Sequence, residues 1–406
     1  MENEKTFNNW IKWGLINLAI VALYGMMMRF KIAYEFPFFQ QKNLLHAHSH
    51  FAFSGWISHF LYCGLAMIVI EQLGNAVRKK YKMLIIANLV CSFGMLIFFT
   101  YQGYKALSIT FSTLSIILAV GFTFVFVKDA KRFSTDNASK PWAIGGLLLN
   151  ILSSAGPFYL AYMLASKHIN HNFYLGSLYY FLHFQYSGWF FFASMAIAIT
   201  LLPKGLIDTN KYFKILFTTS IFTVFLSLLW IKLPLWLYII TVIATLLQFG
   251  TWIKLISENY RAIISIKDNV KPTWITLFIY GSIISITIKF TLQTVSIIPS
   301  LSTLVFGFRP IVIAYLHLVL LGVYTLFILG YSYYKGYLKP TKFAAIASVL
   351  FFIGVLLNEF FLGLQGFAAF TYTLIPHING LLLFAAIVLF LSATLMVISQ
   401  ITHREV

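Results

Sequence analysis

Apolar stretches of about 20 residues, the length that crosses a bilayer as a helix, recur from one end of this chain to the other. Hydrocarbon offers the backbone no hydrogen-bond partner, so each such stretch must satisfy its own N–H and C=O groups as a helix. The runs are too long and too uniform for the alternating pattern of a membrane β-barrel. The composition agrees: 60% of the residues are hydrophobic and 10% are charged, against roughly a quarter charged in soluble domains. The expected fold is an all-α integral membrane protein, a single polytopic domain over 1–406. Twelve spans are expected, near 12–31, 46–70, 83–101, 106–127, 142–165, 174–202, 213–231, 234–253, 273–292, 308–334, 342–363 and 375–398. The first reads as a retained helix, because no small-residue cleavage site follows it.

The formal charge of +18 is not a nucleic-acid footprint. With the N-terminus inside, 21 of the 29 lysines and arginines fall in inner segments. They form runs at 78–82, 128–140, 204–214, 254–271 and 335–342, with Lys5, Lys12 and Arg404 at the termini. The other eight are scattered. The positive-inside rule then puts both termini in the cytoplasm and the chain in the cell inner membrane as a multi-pass protein. Cys63 and Cys91 fall within spans, and no C-x-x-C-H occurs, so covalent c-type haem is not expected.

Within this apolar background one motif repeats. Residues 50–56 read HFAFSGW, 183–189 read HFQYSGW and 317–323 read HLVLLGV. Each places a histidine five residues before a glycine: His50 and Gly55, His183 and Gly188, His317 and Gly322. The histidines fall on spans two, six and ten, which argues for three pseudo-equivalent four-helix units. All three spans run from outside to inside, so the histidines lie in the outer part of the bilayer. On an α-helix, glycine five residues on is roughly 140° round from the histidine. That suits close approach of a neighbouring helix or of a flat ligand's edge. Ionisable groups in membrane spans are costly and usually functional. Neutral imidazole binds a metal without adding net charge.

The plan and the motifs resemble the catalytic subunit of the haem-copper oxidases and nitric oxide reductases. His48-Ser49-His50 followed by Gly55-Trp56 is similar to that superfamily's HxH-x4-G-W pattern. AYLHLVLLGVY, 314–324, resembles the helix-ten segment of the reductases, and HAHSHFAF, 46–53, resembles the opening of the NnrS proteins. The resemblance implies a haem, b-type, held between helices two and ten by His50 (or His46) and His317. It implies a copper or non-haem iron ligand at His183. The NnrS likeness implies cofactor-binding roles for His46 and His48. The function implied is electron transfer or the handling of nitric oxide or oxygen, with oxidoreductase chemistry of the oxidase or reductase class. Cytochrome or other respiratory subunits are the implied partners, beside the lipid bilayer and a small gaseous ligand. Arg309 is the expected partner of a haem propionate, with Arg29 second.

The sequence also departs from the superfamily. Span seven, KILFTTSIFTVFLSLLW, has no histidine to complete a three-histidine copper site. Tyr315 stands where a second helix-ten histidine is usual, and Tyr186 is three residues after His183 where the oxidase tyrosine is four. Glu359 is the one acidic residue expected inside a span. The oxygen-reducing centre is therefore not expected in its usual form. A degenerate metal site would draw on His46, His48, His183 and His377, the last opening span twelve as PHING. His59 is expected to pack, and His168, His171 and His403 to lie in a loop and the tail. Two other classes remain open: a cofactor-free membrane transporter, and a catalytically inactive sensor or assembly subunit.

Overall fold

The computed structural model describes residues 2–134, 137–201 and 209–402. Lys204, His403 and Arg404 lie outside the described residues. Among the described residues the chain is helical throughout, with no strand. Eleven helices are long and apolar enough to cross a membrane. They are α1 (Glu2–Ala33), α2 (Gln41–Leu73), α3 (Asn75–Gln102), α4 (Ala106–Ala130), α5 (Ser139–Ser166), α7 (Asn210–Leu228), α8 (Leu235–Glu258), α9 (Ile275–Val295), α10 (Arg309–Tyr334), α11 (Lys342–Phe370) and α12 (Ile378–Ile401). The sixth expected span is α6, His171–Ile199, three abutting helical segments of 13, 6 and 10 residues. It matches the others in length but is richer in tyrosine and other polar groups. Two short helices, Tyr260–Asn269 and Pro299–Gly307, link α8 to α9 and α9 to α10. The chain is thus an all-α, multi-pass membrane protein.

The helices group into two compact units. The first holds residues 1–118, 270–282 and 321–406, and the second holds 119–269 and 283–320. In the first, α12 packs between α1 and α11, and α2 lies against α1 and α3. There α2 is central: 94% of its apolar window is buried, against 22% for α4. Along α4, Leu107, Ile109, Leu114, Ile117 and Phe124 all face outward, as a helix bordering hydrocarbon requires. In the second unit, α5 packs on α6, and α7 packs on α8.

Small residues set the closest approaches. A β-carbon on Gly156 of α5 would stand 2.5 Å from the Ser177 carbonyl oxygen of α6, and one on Gly146 would stand 2.9 Å from the Ala193 backbone nitrogen. Backbone cannot yield as a side chain can, so glycine is what lets these helices touch. Lys289 lies inside α9, fully buried.

Candidate functional site

Each repeated histidine is followed within two residues by a π-helical turn. His50 and Phe51 end a regular helix and Ala52–Ser58 is π. His183 is followed by Phe184–Trp189 and His317 by Leu318–Thr325, both π. Hydropathy gives no sign of this, since the turns are as apolar as their surroundings. A π-turn bonds residue i to i+5, which adds one residue to the turn and is found mostly at functional positions. It also revises the α-helical projection of the motif, because five residues now make about one turn.

The turns are braced by polar side chains from neighbouring helices. Asn17 of α1, fully buried, donates to the Gly55 carbonyl at 2.6 Å, and Asn88 of α3 donates to the Ser54 carbonyl at 3.1 Å. Ser282 of α9 donates to the Val323 carbonyl in the third turn at 2.8 Å. In the second turn the polar group is its own: Gln185 donates to Asn150 Oδ1 and Ser153 Oγ of α5, both at 2.8 Å. The widened ladder leaves carbonyls short of partners, and buried carbonyls are costly without them. Gly55 makes room for the ring of Phe51, whose carbons stand 2.7 Å from a would-be β-carbon. Gly188 admits Leu149 of α5 at 2.8 Å. Trp56 donates its indole N–H to Thr325 Oγ1 at 2.9 Å, and Phe60 meets Tyr331 edge-on at 5.9 Å, so α2 and the C-terminal half of α10 are neighbours.

The N-terminal end of α2 divides its histidines between two faces, as the 3.6-residue period dictates. His46 and His50, four residues apart, face α3 and the loop after it. The His50 ring lies flat on Phe99 at 4.3 Å, and its Nε2 is 3.0 Å from the Tyr104 hydroxyl. The His46 ring meets Tyr104 edge-on at 4.6 Å, and its Nε2 is buried with no hydrogen-bond partner. His48 turns the other way, toward α1, where Nδ1–H donates to the Val21 carbonyl at 3.1 Å. A carbonyl only accepts, so the proton is on Nδ1. The loop that carries Tyr104 turns at Gly103, whose φ of +63° suits glycine and whose missing β-carbon leaves space for Asn43 Oδ1.

The other expected site residues lie on several elements. His183 is buried on α6, and its Nε2–H donates to the Ser220 carbonyl of α7 at 2.9 Å. Ser220 Oγ in turn accepts from Gln248 of α8 at 3.0 Å. His317 is half-buried, with Nδ1–H donating to the Ile313 carbonyl of its own helix at 2.8 Å. Arg309 is exposed at the start of α10, and Arg29 is half-buried near the end of α1. His377 is exposed and caps α12 in a left-handed conformation, φ +59°. His59 packs in the interior, donating to the Trp10 carbonyl at 3.0 Å. Asn358 donates to Glu359 on α11 at 3.2 Å.

Among the described residues no group of three or more histidine, cysteine, aspartate or glutamate side chains is placed to hold a metal ion. In His183 the Nε2–H bond to the Ser220 carbonyl leaves Nδ1 as the basic nitrogen. A haem iron is better served. The orphaned Nε2 of His46 is a buried imidazole nitrogen without a partner, which is what an axial ligand presents. In His48 and His317 the Nδ1–H bond to a carbonyl leaves Nε2 as the basic nitrogen, the tautomer that ligating histidines use. Neither a family model nor a curated protein matches this chain.

Proposed function

We propose that this chain is a haem-binding protein of the inner membrane. It has the twelve-helix plan of the haem-copper oxidase catalytic subunit, arranged as three four-helix units, with both termini in the cytoplasm. One observation carries the reading. Histidines at 50, 183 and 317, spaced almost evenly along the chain, each stand within two residues of the start of a π-turn. A repeated motif that also repeats an uncommon backbone distortion supports descent from one duplicated unit and a shared use.

The residues of α2 that fit an iron are His46, with its orphaned nitrogen, and His50, which Tyr104 holds. The resemblance assigns a further ligand role to His317 and a propionate partner to Arg309. A haem with two imidazole ligands supplies one-electron transfer, and one with an open position binds nitric oxide or oxygen. Phe99, Phe51 and Trp56 keep the surroundings apolar and dry, and Tyr104 fixes the orientation of the His50 ring. Electrons would reach the site from a cytochrome or other respiratory subunit.

The test is haem content and optical spectrum of purified protein carrying His46→Ala, His50→Ala or His317→Ala. Loss of haem in the His317 variant and in at least one α2 variant, with helical content retained, is the expected result. Haem bound equally by all three variants contradicts the ligand assignment.

A further inference from the structure

We propose that the exposed face at the start of α3, in the first unit, binds an anionic phospholipid. Lys79 and Lys82 take its phosphodiester, and the apolar stripe that follows them on the same face takes an acyl chain. The inference is independent of whether haem is bound.

The regular part of α3 opens on Arg78, Lys79, Lys80, Tyr81 and Lys82. Between Glu71 and Asp129 the sequence carries no carboxylate. Glu71 itself, near the end of α2, is within electrostatic range of Lys335 on α10. Lys79 and Lys82 are exposed, while Lys80 is half-buried with its Nζ over the Tyr81 ring at 5.7 Å. Cations in the first turn of a helix oppose its dipole. Helix formation therefore does not account for the cluster, and an anion from outside the chain would relieve it.

The rest of the face says what kind of anion fits. Met83, Ile86, Val90 and Ile97 lie in line with Lys79 on the helical period, and all four are exposed. On the opposite face Tyr81, Ile85, Asn88 and Ser92 are buried, and Asn88 donates to the π-turn of α2. That face seats α3 on the bundle and holds the stripe outward. From Lys79 to Val90 the helix rises about 16 Å, roughly half of the hydrocarbon core and so about the depth of one leaflet. A cationic head above an apolar stripe of this length complements a lipid with a negative phosphate above a hydrocarbon tail. A soluble polyanion would leave the stripe unused. Basic segments beside membrane helices attract anionic headgroups in this way.

The experiment uses the full-length protein in an uncharged detergent at fixed ionic strength and follows its unfolding temperature as phosphatidylglycerol is added. Phosphatidylcholine with the same acyl chains and soluble glycerol phosphate are the parallel arms. Wild type is expected to show a saturable rise with phosphatidylglycerol alone. The double variant Lys79→Gln/Lys82→Gln is expected to need at least tenfold more phosphatidylglycerol for the same rise. Lys128→Gln/Lys131→Gln removes the same charge from another exposed pair and is expected to match wild type. No saturable rise in wild type, an equal rise with phosphatidylcholine, or the full rise with glycerol phosphate overturns the proposal. So does an undiminished response in the Lys79/Lys82 variant, or an equal loss in both double variants.

Discussion

The indole N–H of Trp56 donates to Thr325 Oγ1 at 2.9 Å, joining the π-turn of α2 to the end of the π-turn of α10. Both residues are buried. Thr325→Val keeps the shape and removes the acceptor, leaving the indole N–H unmet. Interhelical hydrogen bonds in membranes contribute about 0.6–1.7 kcal/mol, so a loss of about 1–2 kcal/mol is expected in a detergent unfolding titration. Unchanged stability would show that the two turns do not depend on each other.

The carbonyl that the first π-turn releases gives a second prediction. Asn17 is fully buried and donates to Gly55 O at 2.6 Å. Asn17→Leu is close in size, removes the donor and strands the carbonyl. A cost of about 1–3 kcal/mol is expected, read in the same titration. A neutral effect would mean that the Gly55 carbonyl finds a partner within a regular helix.

Two glycines should respond with opposite signs. Gly156→Ala drives a methyl to 2.5 Å from the Ser177 carbonyl oxygen and is expected to destabilise by about 1–3 kcal/mol. Gly250→Ala has nothing within 4 Å and is expected to stabilise α8 by about 0.5–1 kcal/mol. Thermal unfolding of the two variants side by side is the check. The same sign for both contradicts the packing of α5 on α6.

Much of this architecture is legible in the sequence, because hydrocarbon leaves a chain so few options. Among the described residues eleven of the twelve expected spans appear as apolar helices of crossing length, and α7 and α8 are parted just before Leu235, between the expected spans 213–231 and 234–253. The π-turns are not legible, since side-chain hydropathy does not report the backbone hydrogen-bond register. The alternating HAHSH segment suggests a single cluster, yet the helical period sends His48 to α1 and leaves His46 and His50 with Tyr104. Tyr104 comes from a loop more than fifty residues away, with no pattern to mark it. Lys289 was visible as a lysine within an apolar run. Packing sets the faces of Phe290 and Tyr186 against it, which no sequence pattern marks.

Tyr104 gives a test of how His46 and His50 divide their work. With the phenol holding Nε2 of His50, His46→Ala is expected to remove more haem than His50→Ala. Tyr104→Phe releases His50, so haem content in the double variant Tyr104→Phe/His46→Ala should recover at least in part. Equal losses from both single variants, with no recovery in the double, would show that Tyr104 does not govern the choice.

The central claim is that imidazoles at the mouths of the π-turns hold an iron porphyrin, and the dithionite-reduced minus oxidised optical spectrum of the purified wild-type protein tests it most directly. The expected result is a Soret band that shifts on reduction, with a stoichiometric amount of non-covalent haem. A colourless protein with full helical content, purified from cells supplied with haem, would contradict it.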